Sequence, residues 1–480
     1  MADRPKSILW LALPMLLAIG CATDRPTRRM ATLRPPAPPQ AAQARSTPAV
    51  MPASFQDNTA VEERIPTEVV PAPIAISSLT ELEGIALYRN PAINRLYREY
   101  QAAAARSRYV GKLPDPRVGA NFFGDPIETA AGSQRASMNI SQMLPWLKKL
   151  GAEEQRASFE ALAIRAEYEA ERLKVLAGVR SAWYRLYVID RQIHIAEENQ
   201  RLLESLIELA NARIETGAAS QADVLLGTLE LSQLEERLLI YYRQRTAVEA
   251  ELNRLAARPA NTPVIVPAEL AAELPPLSAE EILQIALGNQ PEIEAIRLRM
   301  QASLWGVEVA RFSRRPELTL SASYFFTDDN RPPSTIVDVG EDPWALGVQL
   351  SLPLGREKYD AMRNEANWKH RATRDSLDAA YQRYDAMVLE LVAEARRAAE
   401  TATLYRETIL PQARQTLAAD QEGYATGKIE FDRVIRGYRS LLTLELGYHQ
   451  AVGDLSIAIA RLQEAAGDDV LPMPRAAVPQ

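Results

Sequence analysis

The sequence runs to 480 residues, enough for one large domain or three ordinary ones, so core size is not limiting. Aromatic residues make up only 6%, and long proline-free tracts are rich in Ala, Leu, Glu, Gln and Arg, a usage that favours long helices over an ordinary globular fold. The net charge of −7 has its signs interspersed and offers no basic stripe for phosphate binding, which excludes a nucleic-acid partner.

At the start of the chain, Arg4 and Lys6 precede an apolar run, 8–19, that is too short to span a bilayer, and Gly20-Cys21 follows. This reads as a secretion signal peptide over 1–20. Cys21 is the only cysteine, so no internal disulfide can form. Residues 22–78 carry ten prolines and no apolar periodicity, and with Cys21 they read as an extended tether, 21–78.

The body is duplicated. Residues 79–110 form a first helix, and 277–310 repeat it at an offset of 200, matching Ala86 with Ala286, Pro91 with Pro291 and Ile93 with Ile293. The repeats cover 79–257 and 277–467, joined by a crossover at 258–276 and followed by a tail, 468–480.

Each helix leads into two strands. In 317–327, Leu318, Leu320, Ala322, Tyr324 and Phe326 alternate with Thr319, Ser321 and Ser323, and 344–352 alternates in the same way. The first pair, about 117–123 and 135–144, is shorter and less regular. Oily on one side and polar on the other is the pattern of a membrane barrel strand, although a soluble hairpin packed on helices would also alternate. Four strands cannot close a barrel, and lipid-exposed strands cannot keep open edges, so a membrane reading requires several chains to share one barrel. Three copies would supply twelve strands.

A long helix follows each strand pair. Residues 149–212 hold 64 residues, about 96 Å at ~1.5 Å per residue, far too long for a globular core. The return helix, 220–255, is only about 54 Å long by the same rise, and the helix ahead of the strands has the length to fill the difference. Pro411 is expected to kink the second long helix. Between outgoing and return helix lie sharp tips at Thr216-Gly217 and Thr426-Gly427, the second followed by Lys428. An offset of 210 matches Thr216 with Thr426, Gly217 with Gly427 and Val224 with Val434, and each glycine supplies the positive φ that ends a helix without a Cβ penalty.

A signal ending in Cys21, then helix, strand pair, long helix, glycine tip and return helix, all repeated, resembles the TolC family of bacterial outer-membrane efflux channels. The resemblance covers 79–467. It implies a mainly α fold with a transmembrane β-barrel contribution: a homotrimer whose twelve strands form an outer-membrane barrel above a helical tunnel through the periplasm. It also implies an inner-membrane transporter and a periplasmic adaptor (membrane fusion) protein that docks on the tips. The small residue before Cys21 resembles the bacterial lipoprotein signal, which implies acylation of Cys21, palmitate included, and an anchor in outer membrane lipid; Ala22 after it fits export to that membrane. In well-known members the closed entrance uses a Tyr and an Asp at the positions of Tyr424 and Asp223. Where some members carry lumen-facing Asp rings this chain has Arg433 and Arg436, a less acidic entrance unless Asp432 and Glu430 compensate.

The run 423–429 has the wrong spacing for a phosphate loop, and His194, His370 and His449 lie far apart with no metal spacing. No catalytic residue, metal or cofactor is expected. The competing readings are a lipid-anchored periplasmic coiled-coil scaffold, with the strands as a soluble cap, and an adaptor protein, which typically has one hairpin per chain where this one has two. Cargo is not encoded in a passive duct, because the pump selects it.

Overall fold

The computed structural model describes residues 77–271, 274, 276, 278–333 and 338–467, with the backbone of 475–476. The segment 1–20, Cys21 and 22–76 lie outside the described residues, as do the side chains of 468–480. The chain makes two passes of one element order. In the first, α1 (Leu79–Arg89) and α2 (Pro91–Val110) lead to β1 (Arg117–Thr129) and β2 (Gly132–Leu144), then to α3 (Leu147–Glu215) and α4 (Gln221–Leu255). After a short β3 (Leu270–Ala271), the second pass runs α5 (Ala279–Asn289), α6 (Pro291–Phe312), β4 (Glu317–Thr327), β5 (Trp344–Ser351) and α7 (Arg356–Leu404). It ends with a π-helical turn (Tyr405–Ile409), α8 (Leu410–Ala425), α9 (Phe431–Ala466) and β6 (Arg475–Ala476), which pairs with β3. Among the described residues no helix is long and apolar enough to cross a membrane.

The helix ahead of each strand pair, expected as one rod, is broken at an X-Pro step. Proline's ring excludes the α region for the residue before it, and Asn90 and Gln290 accordingly sit at ψ 124° and 115°. Asn90 Oδ1 accepts the Ala92 N–H at 2.9 Å, while its Nδ2 donates to the Leu255 carbonyl at the end of α4, also at 2.9 Å. Gln290 Nε2 donates to the Glu464 carbonyl near the end of α9 at 2.8 Å. Each break thus satisfies carbonyls that a helix C-terminus leaves without partners.

The two passes also pack alike. Leu82, Ala86 and Ile93 bury against Val179, Trp183 and Leu186 of α3, and Ile282, Ala286 and Ile293 against Tyr384, Val388 and Leu391 of α7. Towards the tips one cluster joins all four long helical arms, with Leu203, Leu206, Leu234, Leu417, Val434 and Ile435 buried in it. Complete burial of each such side chain contributes about 1.5–3 kcal/mol. Among the helical glycines the tightest approach is at Gly453 of α9, where an added Cβ would stand 2.1 Å from Val188 Cγ2 of α3.

The long helices differ from expectation only near their ends. α3 spans 69 residues, about 104 Å at ~1.5 Å per residue, because nothing before Thr216 stops it. Ahead of Pro411 the expected kink takes the form of the π turn: proline has no N–H for the Glu407 carbonyl, and the turn widens by one residue. The widened turn brings Tyr405 onto Gly447, where a Cβ would lie 2.9 Å from the Tyr405 hydroxyl.

The strands form one antiparallel sheet in the order β1-β2-β4-β5. β1 extends to Thr129, beyond the expected end at 123, because pairing resumes past Gly124-Asp125-Pro126 through a register shift between Phe122 and Ile127. Proline is tolerated there since it sits inside the irregularity, where 123–126 have no partner in the register. Register places Val118 opposite Ile140, Met138 opposite Tyr324, Tyr324 opposite Trp344 and Leu318 opposite Leu350, so these side chains share one face. That face is bare: Phe122 is 83% exposed and Val348 72%. The opposite face carries Asn121, Ser137, Asn139, Ser321 and Ser323, with Asn121 Nδ2 donating to Ser137 Oγ at 3.3 Å. Phe122, Tyr324, Phe326 and Trp344 cluster at the end of the sheet next to the loop between β4 and β5.

The histidines are held in three different ways. Exposed His194 lies 3.1 Å from Glu198, His370 Nδ1 lies 2.9 Å from Ser303 Oγ, and His449 Nδ1 lies 3.0 Å from the buried Tyr187 hydroxyl. Burial, aided by the Arg191 and His194 charges, lowers the His449 pKa from 6.5 to about 4. Between those values the unfolded chain takes up a proton that the fold refuses, so stability falls as pH falls through that window.

Three outcomes are expected. Gly453→Ala lowers the thermal unfolding midpoint, at a cost of about 1–3 kcal/mol from overpacking, whereas Gly84→Ala, at a helical site with nothing within 4 Å, raises it, for a gain of about 0.5–1 kcal/mol. Unfolding followed by circular dichroism in detergent checks both. His449→Gln flattens the loss of stability between pH 6.5 and about 4 relative to the parent. Comparing the two proteins isolates this group from the half-buried Asp190 and Glu464 carboxyls, whose raised pKa values act with the opposite sign.

Candidate functional site

Both hairpin tips close in the same way. At the first, the Gly217 N–H donates to the Ile214 carbonyl at 2.9 Å and the Ala218 N–H to the Arg213 carbonyl at 2.8 Å. At the second, the Gly427 N–H donates to the Tyr424 carbonyl at 2.9 Å and the Lys428 N–H to the Gly423 carbonyl at 2.8 Å. This bond pair is a Schellman motif, and it requires the left-handed glycines: φ is 72° at Gly217 and 77° at Gly427. Thr216 and Thr426 are the C-caps, their hydroxyls donating back to the Arg213 and Glu422 carbonyls at 3.0 Å each. Lys428 is exposed.

α4 then starts on a capping box, with Asp223 as its acidic member. The Asp223 carboxylate accepts from the Ser220 N–H at 3.4 Å and the Ser220 hydroxyl at 3.1 Å. Tyr424 is 2% exposed and packs against Phe431 with ring centroids 5.2 Å apart. Burial, and after it the Asp223 charge, raises the Tyr424 pKa. Asp223 approaches the phenol, yet the Tyr424 hydroxyl has no hydrogen-bond partner.

Arg213, in the last turn of α3, reaches the second tip instead. Its Nη1 donates to the Tyr424 carbonyl, its Nη2 donates to the Ala218 carbonyl at 3.0 Å, and its Cζ lies 4.3 Å from the Tyr424 ring centroid. A second link between the hairpins runs from Arg439 of α9 to Glu230 of α4, whose side chain is 7% exposed. Burial and then Glu230 push the nearby Tyr438 phenol up to about 12.

The arginines that depart from the acidic pattern are neutralised within the second hairpin. Arg433 Nε donates to Asp420 at 2.9 Å, and Arg436 pairs with Asp432 one turn away. Glu430 is the N-cap of α9 and makes no side-chain cap bond. Among the described residues no group of three or more His, Cys, Asp or Glu side chains could hold a metal ion.

The sequence profile of the outer membrane efflux protein family matches residues 85–258 and 282–468. The chain belongs to that family. The outer membrane efflux proteins are transport proteins, not enzymes. One relative is the fusaric acid resistance protein FusA of Burkholderia cepacia, 27% identical over 217 residues, a match covering 44% of this chain and 39% of that protein. Another is the cobalt-zinc-cadmium resistance protein CzcC of Cupriavidus metallidurans, 24% identical over 307 residues, covering 61% of this chain and 69% of that protein. The alignment thus spans well under half the length of FusA. The outer membrane protein VceC of Vibrio cholerae shares the fold, with a TM-score of 0.69 at 18% identity over 81% of this chain and 96% of that one.

On this efflux-family scaffold the fold brings Tyr424 and Asp223 close together without bonding them, and pairs Arg436 with Asp432. It adds Arg213 and the Glu230–Arg439 pair, which residue types alone did not single out. A signal for Arg213 was present: at an offset of 210 it faces Gly423, so the repeat is broken at the position that reaches across.

Arg439→Ala strands the Glu230 carboxylate in an apolar ladder. It is expected to cost about 1–3 kcal/mol, towards the lower end because Arg439 is half-exposed. Adding Glu230→Leu recovers most of that loss. Unfolding midpoints of the parent, single and double variants check both outcomes.

Proposed function

We propose that three copies of this chain form an outer-membrane channel, conducting substrates passively from an inner-membrane pump and a periplasmic adaptor to the exterior. The observation that carries the reading is the four-stranded sheet, bare and apolar on one face, polar on the other, with β1 and β5 as open edges. β4 has 11 residues, which at ~3.3 Å rise and a tilt of ~40° cover about 28 Å, close to the ~25 Å apolar band of outer-membrane barrels. Phe122, Tyr324, Phe326 and Trp344 fit an aromatic girdle at one boundary. Three sheets joined β5 to β1 make a closed barrel of twelve strands.

In this reading Cys21 carries the lipid anchor after removal of 1–20, and the tips at Thr216-Gly217 and Thr426-Gly427-Lys428 meet the adaptor at the closed entrance. Asp223, Tyr424, Asp432, Arg433 and Arg436 surround that entrance, with both arginines compensated inside the chain. A lipid-anchored scaffold has no use for a bare apolar sheet face. The relatives' names span an organic acid, fusaric acid, and metal cations, so cargo follows the pump that the duct serves.

Purification from outer membranes in detergent, with mass determination and planar-bilayer recording, tests the reading. The expected result is a particle of three chains with discrete conductance steps. A monomer, or a trimer silent at every voltage, rejects it.

A further inference from the structure

Resting on the reading of the tips as a closed entrance, we propose that Arg213 is the residue that clasps the two tips of one protomer, in place of a hydroxyl-to-carboxylate bond between Tyr424 and Asp223. Arg213 serves both tips at once. Its own carbonyl closes the first, accepting the Ala218 N–H at 2.8 Å and the Thr216 hydroxyl at 3.0 Å. Its guanidinium holds the second by the Tyr424 carbonyl and covers the Tyr424 ring, with one arm left on the Ala218 carbonyl. Charge-assisted bonds and a cation over a ring are among the stronger polar contacts available, and the fixed fork of a guanidinium can make both together.

The other candidates for the clasp are otherwise engaged. The Tyr424 hydroxyl is buried and makes no hydrogen bond of ordinary length, although the nearby Asp223 carboxylate acts on it and helps to raise its pKa. The Asp223 carboxylate is occupied in the capping box with Ser220. Gly427 lies beside the clasp: a Cβ there would stand in van der Waals contact with Arg213 Nη2, at 3.4 Å, and it is the positive φ that ends α8 which calls for glycine. The arrangement runs in one direction only. The repeat counterpart of Arg213 is Gly423 and that of Tyr424 is Ile214, so the second tip cannot return the contact.

Arg213 is thus a positioning residue for the gate. Planar-bilayer recording of the purified full-length protein, as parent, R213A, R213K and Y424F, tests this. R213A is expected to raise basal conductance about tenfold, the factor that ~1.4 kcal/mol of lost closed-state stabilisation gives, and R213K to fall between R213A and the parent. Y424F, which keeps the ring and the carbonyl, opens the channel several-fold less than R213A. In R213A carrying A218C and A425C, oxidation to a tip-to-tip disulfide restores the parent level and reductant reverses it, a response that a merely structural role would not give. Should R213A not assemble, R213K carries the same comparison. Gated openings in the parent with no change in R213A or R213K, or Y424F opening as far as R213A, overturn the clasp. A parent that never conducts overturns the duct reading itself.

Discussion

A peptide N–H or C=O facing hydrocarbon has no water to bond, and each one left unpaired costs several kcal/mol. That constraint governs the proposed assembly. A sheet whose apolar side chains lie bare on one face is suited to lipid, but its outer strands β1 and β5 would then present rows of unpaired backbone groups. The chain supplies four strands, half of what the smallest barrels use, so neighbouring copies must provide the missing pairing. The duplication follows the same logic, since β2 pairs with β4 and each pass contributes one strand to that central seam and one to an edge.

Below the sheet the same two passes build long antiparallel helices, and the two ends are linked by packing. Caps at Asn90 and Gln290 pin the broken leading helices onto the C-termini of α4 and α9, setting their level along the long helices. Towards the tips, one apolar cluster draws on α3, α4, α8 and α9 together, so the hairpins are a joint unit. Among the described residues the polar links across that unit include Arg213–Tyr424, Glu230–Arg439 and Asn199–Glu445. A gate needs such an arrangement: a packed body that keeps its register and a small number of breakable contacts at its end.

Much of this was legible in the sequence because it depends on local rules. Gly217 and Gly427 mark the tips by their place after a long apolar ladder, and Leu318 to Phe326 show their sheet face by alternation alone. Pro91 and Pro291 were visible as a repeat match, yet their effect as helix breaks needed the rule for the preceding residue applied to Asn90 and Gln290. The run through Asp125-Pro126 hid the outer part of β1, since breaker residues in an edge strand look like a loop until the partner strand is seen. The broken repeat at Arg213 and Gly423 marked a position, but the contacts of Arg213, Glu230 and Arg433 were not legible, because each joins residues distant in sequence, or, for Asp420 and Arg433, spans a turn whose packing decides which carboxylate is reached.

The most direct test of the account is cross-linking between the sheet edges in outer membranes. Cysteines placed singly at Ala120 or Asn121 of β1 and walked along 345–351 of β5, in a chain whose Cys21 is retained, would be oxidised and sized by denaturing electrophoresis. A barrel closed by three copies gives bands of two and three chains, and no larger, at one register of the walk. Monomer at every register, or a ladder continuing past three, would contradict a barrel closed by three copies.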